Sequence, residues 1–376
     1  MLTPRVYASI AEVDPGRWDA VGSDPLSSHA VLRAAEAAHL DGIRQWCVII
    51  EDRHGDAVAA APLARIDVDA ARLTHGVFHR FIDAVRSLRP RFLHTALLVC
   101  GTPLSVGNPP VRIRPGADRA AVYRTLAGLL DEIGDAEHAP WRVFKELGAA
   151  ELTDASPALG RGARSWILAP SEPNNAIAVS WPTFEKYLAG LRSHYRYTLR
   201  GALRKLEAGG VSIRVAPMGA AYGPEHHRLY DAVLARAAVQ FEHLTPGFFL
   251  ELGRAFGEAA PLIEFVRDGT VVGWVAMLFA GGVAYDLFHG IDYACNEELA
   301  LYFNQLAAVI RLAIERGAER ISLGQSTDTA KARFGAVAVP LWIGLAHRSR
   351  AVTATMRSGR RVLFPAHGAV ARHVFR

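Results

Sequence analysis

Two residues that can transfer protons stand three positions apart in a strand-like segment of the second half of the chain. Asp286 and His289 belong to the run "VAYDLFHGI", which Asp292 follows. A carboxylate in such an apolar strand is costly to bury unless it is paired, so Asp286 is a candidate general base for an amine. His289 is an alternative base because imidazoles titrate near neutral pH. Strict alternation places Asp286 and Asp292 on one face and His289 on the other. The open alternative is that Asp292 caps a turn and His289 is a core residue.

A basic stretch, "SHYRYTLRGALRKLEAGG", precedes these residues in the chain. Arg196, Arg200 and Arg204 are spaced by four and therefore share one face of a helix, with Lys205 beside them. Such a row can hold the phosphates of a donor by bidentate pairing. The alternative is an ordinary solvated helix face.

Several polar and glycine positions follow a predicted strand, "RISLG". Lys331 can pair with a donor phosphate or polarise an acyl carbonyl, or it is an exposed loop lysine. Gln325 and Ser326 precede it, and Gly335 allows the backbone to approach a ligand closely. We assign these three residues to donor binding.

Acceptor binding is assigned to three further residues. Tyr302 and Asn304 stand in the first turns of a long predicted helix, Glu297 to Arg316, which Asn296 caps. Glu242 precedes another helix that Pro246 begins. The alternative for Tyr302 and Asn304 is packing.

Composition describes a globular protein whose mildly basic charge suits an anionic ligand or surface. The 376 residues are 51% hydrophobic and 21% charged, with a formal net charge of +5 and a pI near 9.2. This charge is too low for a dedicated DNA-binding protein. The three cysteines lack metal-ligand spacing, and we expect no metal site. We find no secretory signal and no apolar run of membrane-spanning length, so we expect a cytoplasmic protein.

Secondary-structure patterns alternate between helices and strand pairs in both halves of the chain. We predict an α/β (α+β) fold of two related domains, residues 1–172 and 173–346, each a mixed, largely antiparallel sheet with flanking helices. Loops are predicted for "LTDASPALGRGARSW" and "LAPSEPNN". One helix is predicted from Ser180 to the glycine pair at 209–210, and "PLIEFVR", "VVGWVAMLF" and "VAYDLFHGI" form an antiparallel meander.

The last part of the chain, residues 347–376, reads as a basic tail. No acidic residue occurs from Thr329 onward, whereas arginines recur among apolar residues. The tail can contact an anionic membrane surface, an RNA backbone or an acidic carrier protein, or it packs on its own domain.

The segment from Gly282 to Ala336 resembles the FemAB-like branch of the GNAT acyltransferase superfamily. The motifs of that branch are matched by Ile291-Asp292-Tyr293, Tyr302 and Phe303, Gly324-Gln325-Ser326, Lys331 with Phe334-Gly335, and, in the basic helix, Arg196, Tyr197, Arg200 and Lys205. The resemblance covers Ser180 to Ala346 and is weaker before it.

This resemblance implies two tandem GNAT-like domains and an N-acyltransferase without a tightly bound cofactor. Its co-substrates are an acyl-CoA or an acyl group on a phosphopantetheinyl carrier, and an amine on a small molecule or peptide. One departure is that no pyrophosphate-binding loop precedes Asn296, where Glu297 and Glu298 stand instead. Acidic side chains there repel a pyrophosphate. An aminoacyl-tRNA-dependent amide ligase and a non-catalytic RNA- or membrane-binding module therefore remain alternatives.

Overall fold

The chain folds into two compact units. The computed structural model describes residues 2–38, 40, 42–69, 94–102, 104, 107–160, 166–236, 243–325, 328–364 and 372–376. The first unit contains residues 1–171, 238–243 and 340–367, and the second contains residues 172–237, 244–339 and 368–376. The predicted division at residue 172 is close to the first boundary. The return of the chain to the first unit at residue 340 was not predicted, because it depends on the distant partner of the last strand.

Helices and strands alternate along the whole chain. The first half contains β1 (Thr3–Tyr7), α1 (Pro15–Asp19), α2 (His29–Ala37), β2 (Ile43–Glu51), β3 (Ala57–Asp69), β4 (His94–Cys100), β5 (Arg112–Ile113), α3 (Arg119–Ala136), β6 (Trp141–Leu147), α4 (Ala149–Gly160) and β7 (Ile167–Ala178). The second half contains α5 (Phe184–Gly190), α6 (Ser193–Ala208), β8 (Ser212–Pro217), α7 (Met218–Ala221), α8 (Pro224–Leu234), α9 (Pro246–Phe256), β9 (Pro261–Arg267), β10 (Thr270–Ala280), β11 (Val283–Ile291), α10 (Asn296–Leu299), α11 (Leu301–Glu315), β12 (Arg320–Ser322), α12 (Asp328–Ala332), β13 (Val337–His347), α13 (Arg350–Ser358) and α14 (Arg360–Leu363).

The two units repeat one strand pattern. In the first, the strand order is β1-β2-β3-β4-β6-β13, and only β4 and β6 are parallel. In the second, the order is β7-β12-β11-β10-β9-β8, and only β11 and β12 are parallel. Helices connect each parallel pair, as parallel strands require. The predicted fold class, with mixed and largely antiparallel sheets flanked by helices, is confirmed.

The core of the second unit lies between its sheet and the helix α11. Fully buried side chains of α11, including Leu306, Val309 and Ile310, pack with Val275 and Met277 of β10. The predicted meander is confirmed, since β9, β10 and β11 pair in antiparallel fashion.

Two predicted loops are instead regular structure. Residues Ala149–Gly160 form α4 although Pro157 lies within the helix, because Ala155, Ala158 and Leu159 are buried in the core of the first unit. Residues Ile167–Ala178 form β7, whose end pairs with β12. In both cases tertiary burial outweighs local propensity, which a sequence reading weighs first.

The predicted helix from Ser180 is two helices. Thr183 caps α5 by accepting a hydrogen bond from the backbone amide of Lys186, and α6 begins only at Ser193. Between them, Leu191 and Arg192 are extended. Leu191 pairs with Phe375 in a β-bridge, and the Arg192 amide donates to the carbonyl of Val374 at 2.9 Å. The C-terminal residues thus supply backbone partners that the sequence could not reveal.

The long helix predicted from Glu297 to Arg316 is also interrupted. Ala300 adopts a left-handed conformation with φ of 47°, which separates α10 from α11. The predicted cap Asn296 is used across this break, since its Oδ1 accepts from the amide of Tyr302 at 3.1 Å. Among the described residues, no helix combines the length and apolar character needed to cross a bilayer.

Candidate functional site

The parallel pairing of β11 with β12 ends directly before Asp286. They pair only where Val283, Ala284 and Tyr285 face residues 320–322, and β11 then continues to Ile291 beside β10. Gly324 follows β12, and a Cβ on it would lie 3.8 Å from the carbonyl oxygen of Asp286. Asp286 therefore stands directly beyond the end of the pairing between the two strands, beside Gly324.

An irregularity in β11 brings Asp286 and His289 to the same side. Phe288 is opposite Ala276, whereas Asp286 is opposite Met277, so Leu287 is the extra residue of a β-bulge. A bulge resets the alternation of side chains. The expectation that His289 lies on the face opposite to Asp286 is therefore wrong.

Asp286 and His289 form a close pair. Nε2 of His289 lies 2.9 Å from Oδ1 and 3.1 Å from Oδ2 of Asp286. The Asp286 side chain is 1% exposed and that of His289 is 16% exposed. A contact of this length between two acceptors requires a proton, so the pair holds one proton between the imidazole and the carboxylate.

Gln305 determines which imidazole nitrogen faces Asp286. The Nε2 group of Gln305 donates to the carbonyls of Trp274 at 3.2 Å and Gly290 at 2.8 Å. This fixes the orientation of the amide, because a carbonyl cannot donate. Oε1 of Gln305 is then the atom 3.1 Å from Nδ1 of His289, which must carry a proton and donate it. Both imidazole nitrogens therefore have partners, Nδ1 with Gln305 and Nε2 with Asp286.

Gln305 was not predicted as a site residue. It is fully buried on α11 among apolar neighbours. A glutamine within an apolar helical stretch is the signal that the sequence offered, since buried amides need partners.

The two residues assigned to acceptor binding on α11 have different surroundings. The ring of Tyr302 lies 5.6 Å from the ring of His289, measured between centroids. Asn304 is 1% exposed, and its amide donates to the carbonyls of Ala202 at 2.9 Å and Leu299 at 2.8 Å. Tyr302 thus borders the Asp286–His289 pair, whereas Asn304 joins α11 to α6. Glu242 lies outside the described residues.

Lys331 is a buried residue that stabilises the loop after β12. It is 4% exposed, and its ammonium donates to the carbonyls of Gly324 at 3.3 Å and Gln325 at 2.7 Å. The Gln325 amide donates in turn to the carbonyl of Glu172 at 3.0 Å. Because Gly324 lies beside Asp286, Lys331 holds the backbone that borders Asp286. Ser326 lies outside the described residues.

Gly335 is close to another part of the chain. It has a φ of 87°, and a Cβ at this position would collide with the ring of Phe375. The same ring lies 4.8 Å from Trp181 and 6.0 Å from Tyr187, measured between centroids. The close approach that Gly335 was expected to offer a ligand is occupied by the C-terminal segment.

The basic row of α6 points outward. Leu199, Ala202 and Leu206 form its buried face, whereas Arg200 and Arg204 are exposed and have no ion-pair partner within the described part of the chain. Arg196 is half-buried and donates to the carbonyl of Ala189 at 3.1 Å, and exposed Lys205 lies 3.4 Å from the carbonyl of Glu297. The row is available to a ligand on the outer surface of the helix.

A second buried histidine–carboxylate pair has a structural role. Nδ1 of His226 accepts from the amide of Gly223 at 3.0 Å, so its Nε2 donates to Glu264 at 2.8 Å. Arg214 donates to the same carboxylate at 2.7 Å. Burial raises the pKa of Glu264, but the hydrogen bonds from Arg214 and His226 outweigh it and hold the pKa below its ordinary value. These contacts join α8 to the sheet. Asp292 likewise has a local role, since its Oδ1 accepts from the amide of Ala294 in a turn.

Comparisons with known proteins agree with this architecture. Residues 193–332 match the family model of the acetyltransferase (GNAT) domain. No curated protein sequence shows significant similarity to the chain. Several solved structures share the fold over nearly the whole chain. Their sequence identities to this chain are low, so the likeness concerns the fold and not the activity.

Three such structures illustrate the likeness. The C-terminal domain (DUF2156) of a putative lysylphosphatidylglycerol synthetase from Agrobacterium fabrum is 11% identical, with a TM-score of 0.54 over 97% of this chain and 100% of that one. FemX is 12% identical, with a TM-score of 0.53 over 94% and 100%. A tandem GNAT protein from the clavulanic acid biosynthesis pathway is 12% identical, with a TM-score of 0.53 over 93% and 99%. The predicted resemblance to FemAB-like GNAT proteins is confirmed.

Proposed function

We propose that this chain, an acyltransferase whose residues 193–332 form a GNAT domain, transfers an acyl group from a thioester to an amine. The observation that carries the proposal is the contact of 2.9 Å between Nε2 of His289 and Oδ1 of Asp286, directly beyond the end of the pairing between β11 and β12. The pair can both give and take a proton, which amide formation from a thioester requires.

The proposed reaction is a direct displacement. The amine nitrogen attacks the carbonyl carbon of the thioester, the new C–N bond forms, and the C–S bond breaks. The pair gives its proton to the departing sulfur and takes one from the nitrogen of the tetrahedral adduct. The products are an amide and a thiol, and the pair returns to its starting state without a covalent enzyme intermediate.

The edge of β11 beyond its pairing with β12 suits an extended donor arm. Beyond Tyr285 the backbone of β11 has no strand partner on the β12 side among the described residues. Unpaired backbone groups there can bind an acyl carbonyl and the amide-containing arm of CoA or of a carrier protein. We therefore favour an acyl thioester on CoA or on a phosphopantetheinyl carrier as the donor.

Lys331 and Tyr302 have proposed roles beside the pair. Lys331 positions the Gly324–Gln325 backbone, which lies beside Asp286. Tyr302 lies against His289 and contacts the amine-bearing acceptor, a small molecule or a peptide.

The outer face of α6 favours a second candidate, an amide ligase that uses aminoacyl-tRNA. Arg200 and Arg204 are exposed and accessible to a large polyanion, together with the exposed ring of Tyr197. Phosphate contacts of this kind make affinity fall steeply with salt.

A panel of donors tests both candidates. Acyl-CoAs, acyl-carrier proteins and charged tRNAs are each incubated with the protein, and donor-dependent thermal stabilisation and amide products are recorded. Stabilisation and product formation with a thioester, insensitive to ribonuclease, support the first candidate. Product formation only with charged tRNA, lost on addition of ribonuclease or salt, supports the second.

A further inference from the structure

A pocket of about 150 Å³ lies in the second unit between α6, α11 and the turn that follows α12. His194, Tyr195 and Leu199 line it from α6, Phe303 lines it from α11, and Arg333 and Phe334 close it. The backbone amide of Phe334 donates to the carbonyl of Lys331 at 3.0 Å, whereas no lining residue forms a hydrogen bond with Asp286 in the part of the chain that the structure describes.

The floor of the pocket is apolar. Leu199 is 4% exposed and Phe334 is 2% exposed, and the rings of Phe303 and Phe334 lie 5.4 Å apart between centroids. A pocket of this volume is large enough for a chemical group of the size of benzene.

The rim carries hydrogen-bond donors that are free to bind a ligand. The guanidinium of Arg333 is 5.8 Å from the ring centroid of Phe303 and has no acidic partner among the described residues. The hydroxyl of Tyr195 and the imidazole of His194 also lack side-chain hydrogen bonds within that part of the chain. No acidic side chain is among the lining residues. A cation without an acidic partner, above an apolar floor, is complementary to a ligand that has an anionic group attached to an apolar group.

We propose that this pocket binds a benzene-sized group that carries one carboxylate or phosphate, and that this group is the non-reacting end of a substrate. Phe303 directly follows Tyr302, whose ring lies against His289, so one turn of α11 contributes to both the pocket and the proton-transfer pair. The assignment to a substrate rests on the proposed function, whereas binding of the anion rests on the pocket alone.

Ligand-detected NMR titration of the full chain tests the binding. The probes are phenylacetate and phenyl phosphate, with phenylacetamide as the neutral isostere and with acetate and inorganic phosphate as anions that lack the ring. We expect saturable binding of at least one of the two aryl anions, and the one that binds more tightly identifies the carboxylate or the phosphate as the recognised group. We expect phenylacetamide and the ring-free anions to bind at least about tenfold more weakly, since each lacks one half of the recognised chemistry.

Matched arginine variants localise the site. Arg333→Gln should weaken binding of the aryl anion about tenfold, the loss expected for one charge-assisted hydrogen bond. Arg320→Gln, which removes another exposed arginine of the same unit, should leave the binding unchanged. Both side chains are exposed, so thermal unfolding should show that both variants fold.

The results separate the pocket from the proposed function. If neither aryl anion binds saturably, the proposed anion site is wrong. It is also wrong if Arg333→Gln leaves the binding unchanged. Amide formation is scored separately with the donor panel. Binding without amide formation supports the pocket as an anion site and contradicts the assignment of the anion to a substrate. Amide formation without aryl-anion binding contradicts only the anion site and leaves the proposed function supported.

Discussion

Oε1 of Gln305 accepts a hydrogen bond from Nδ1 of His289 at 3.1 Å, and this contact orients the imidazole beside Asp286. The other end of the Gln305 amide is held by two backbone carbonyls, so the side chain cannot rotate without losing both bonds. The imidazole is thereby held with Nε2 towards Asp286. Gln305, a buried residue of α11, thus orients the imidazole of the proton-transfer pair on β11.

Replacement of Gln305 tests this positioning role. Gln305→Met removes the acceptor for Nδ1 of His289 and should lower the rate of acyl transfer about 10- to 100-fold, with a changed pH–rate profile. In a chain that already carries His289→Gln, the same replacement should cost little further activity, because the group that it positions is gone. Equal losses in both backgrounds would mean that Gln305 acts on stability alone, and steady-state kinetics measures the difference.

Lys331 should contribute to stability through the loop that it holds. Lys331→Met removes the ammonium donor from the Gln325 carbonyl and leaves the Gly324 carbonyl with only the amide groups of Asn175, which should lower the free energy of unfolding by about 1–3 kcal/mol. Arg333→Gln, two residues away and exposed, should change it by less than about 0.5 kcal/mol. Urea denaturation provides both values, and equal stability of the two variants would exclude the structural role of Lys331.

The C-terminal segment should stabilise the second unit. Phe375 packs on Trp181 and Gly335, and its neighbour Val374 is 1% exposed. Phe375→Ala should lower the free energy of unfolding by about 2–4 kcal/mol because it removes a ring from this contact. Tyr197→Ala is the matched control, since that ring is 73% exposed. If both variants unfold at the same denaturant concentration, the C-terminal segment does not contribute to the stability of the second unit.

Acid stability should depend on Glu264. Its pKa is held below the ordinary value, so its stabilising contribution is present above the unfolded-state pKa of about 4.3 and is lost as the pH falls through the folded-state pKa. The melting temperature of the wild-type protein should therefore exceed that of Glu264→Gln near pH 6, and the difference should shrink towards pH 3. Melting curves between these pH values measure it, and a difference that is independent of pH would contradict the assignment.

The sequence predicted the elements of the site better than their arrangement. Asp286 and His289 could be singled out because an acid and an imidazole in an apolar strand need partners. Their pairing could not be predicted, since the bulge at Leu287 depends on the register with β10. Gln305 was missed for a similar reason, because its three partners belong to strands distant in the chain.

The same distinction applies to the ends of helices and to the tail. Asn296 and Gly209 were readable as helix boundaries or close to them, because capping chemistry is local. The break at Leu191 and Arg192 was not, since it is stabilised by Val374 and Phe375, which lie far away in the sequence. The contact of the basic tail with a membrane surface, and the donor role of the α6 arginines, stay predictions.

Single-turnover formation of the amide tests the central claim most directly. The wild-type protein, Asp286→Asn and His289→Gln are mixed with a donor and an amine, the product is quantified by mass spectrometry, and donor affinity is measured in parallel. The proton-transfer account predicts that both variants bind the donor as the wild type does and form the amide about 10²- to 10⁴-fold more slowly. Wild-type rates in either variant would contradict it.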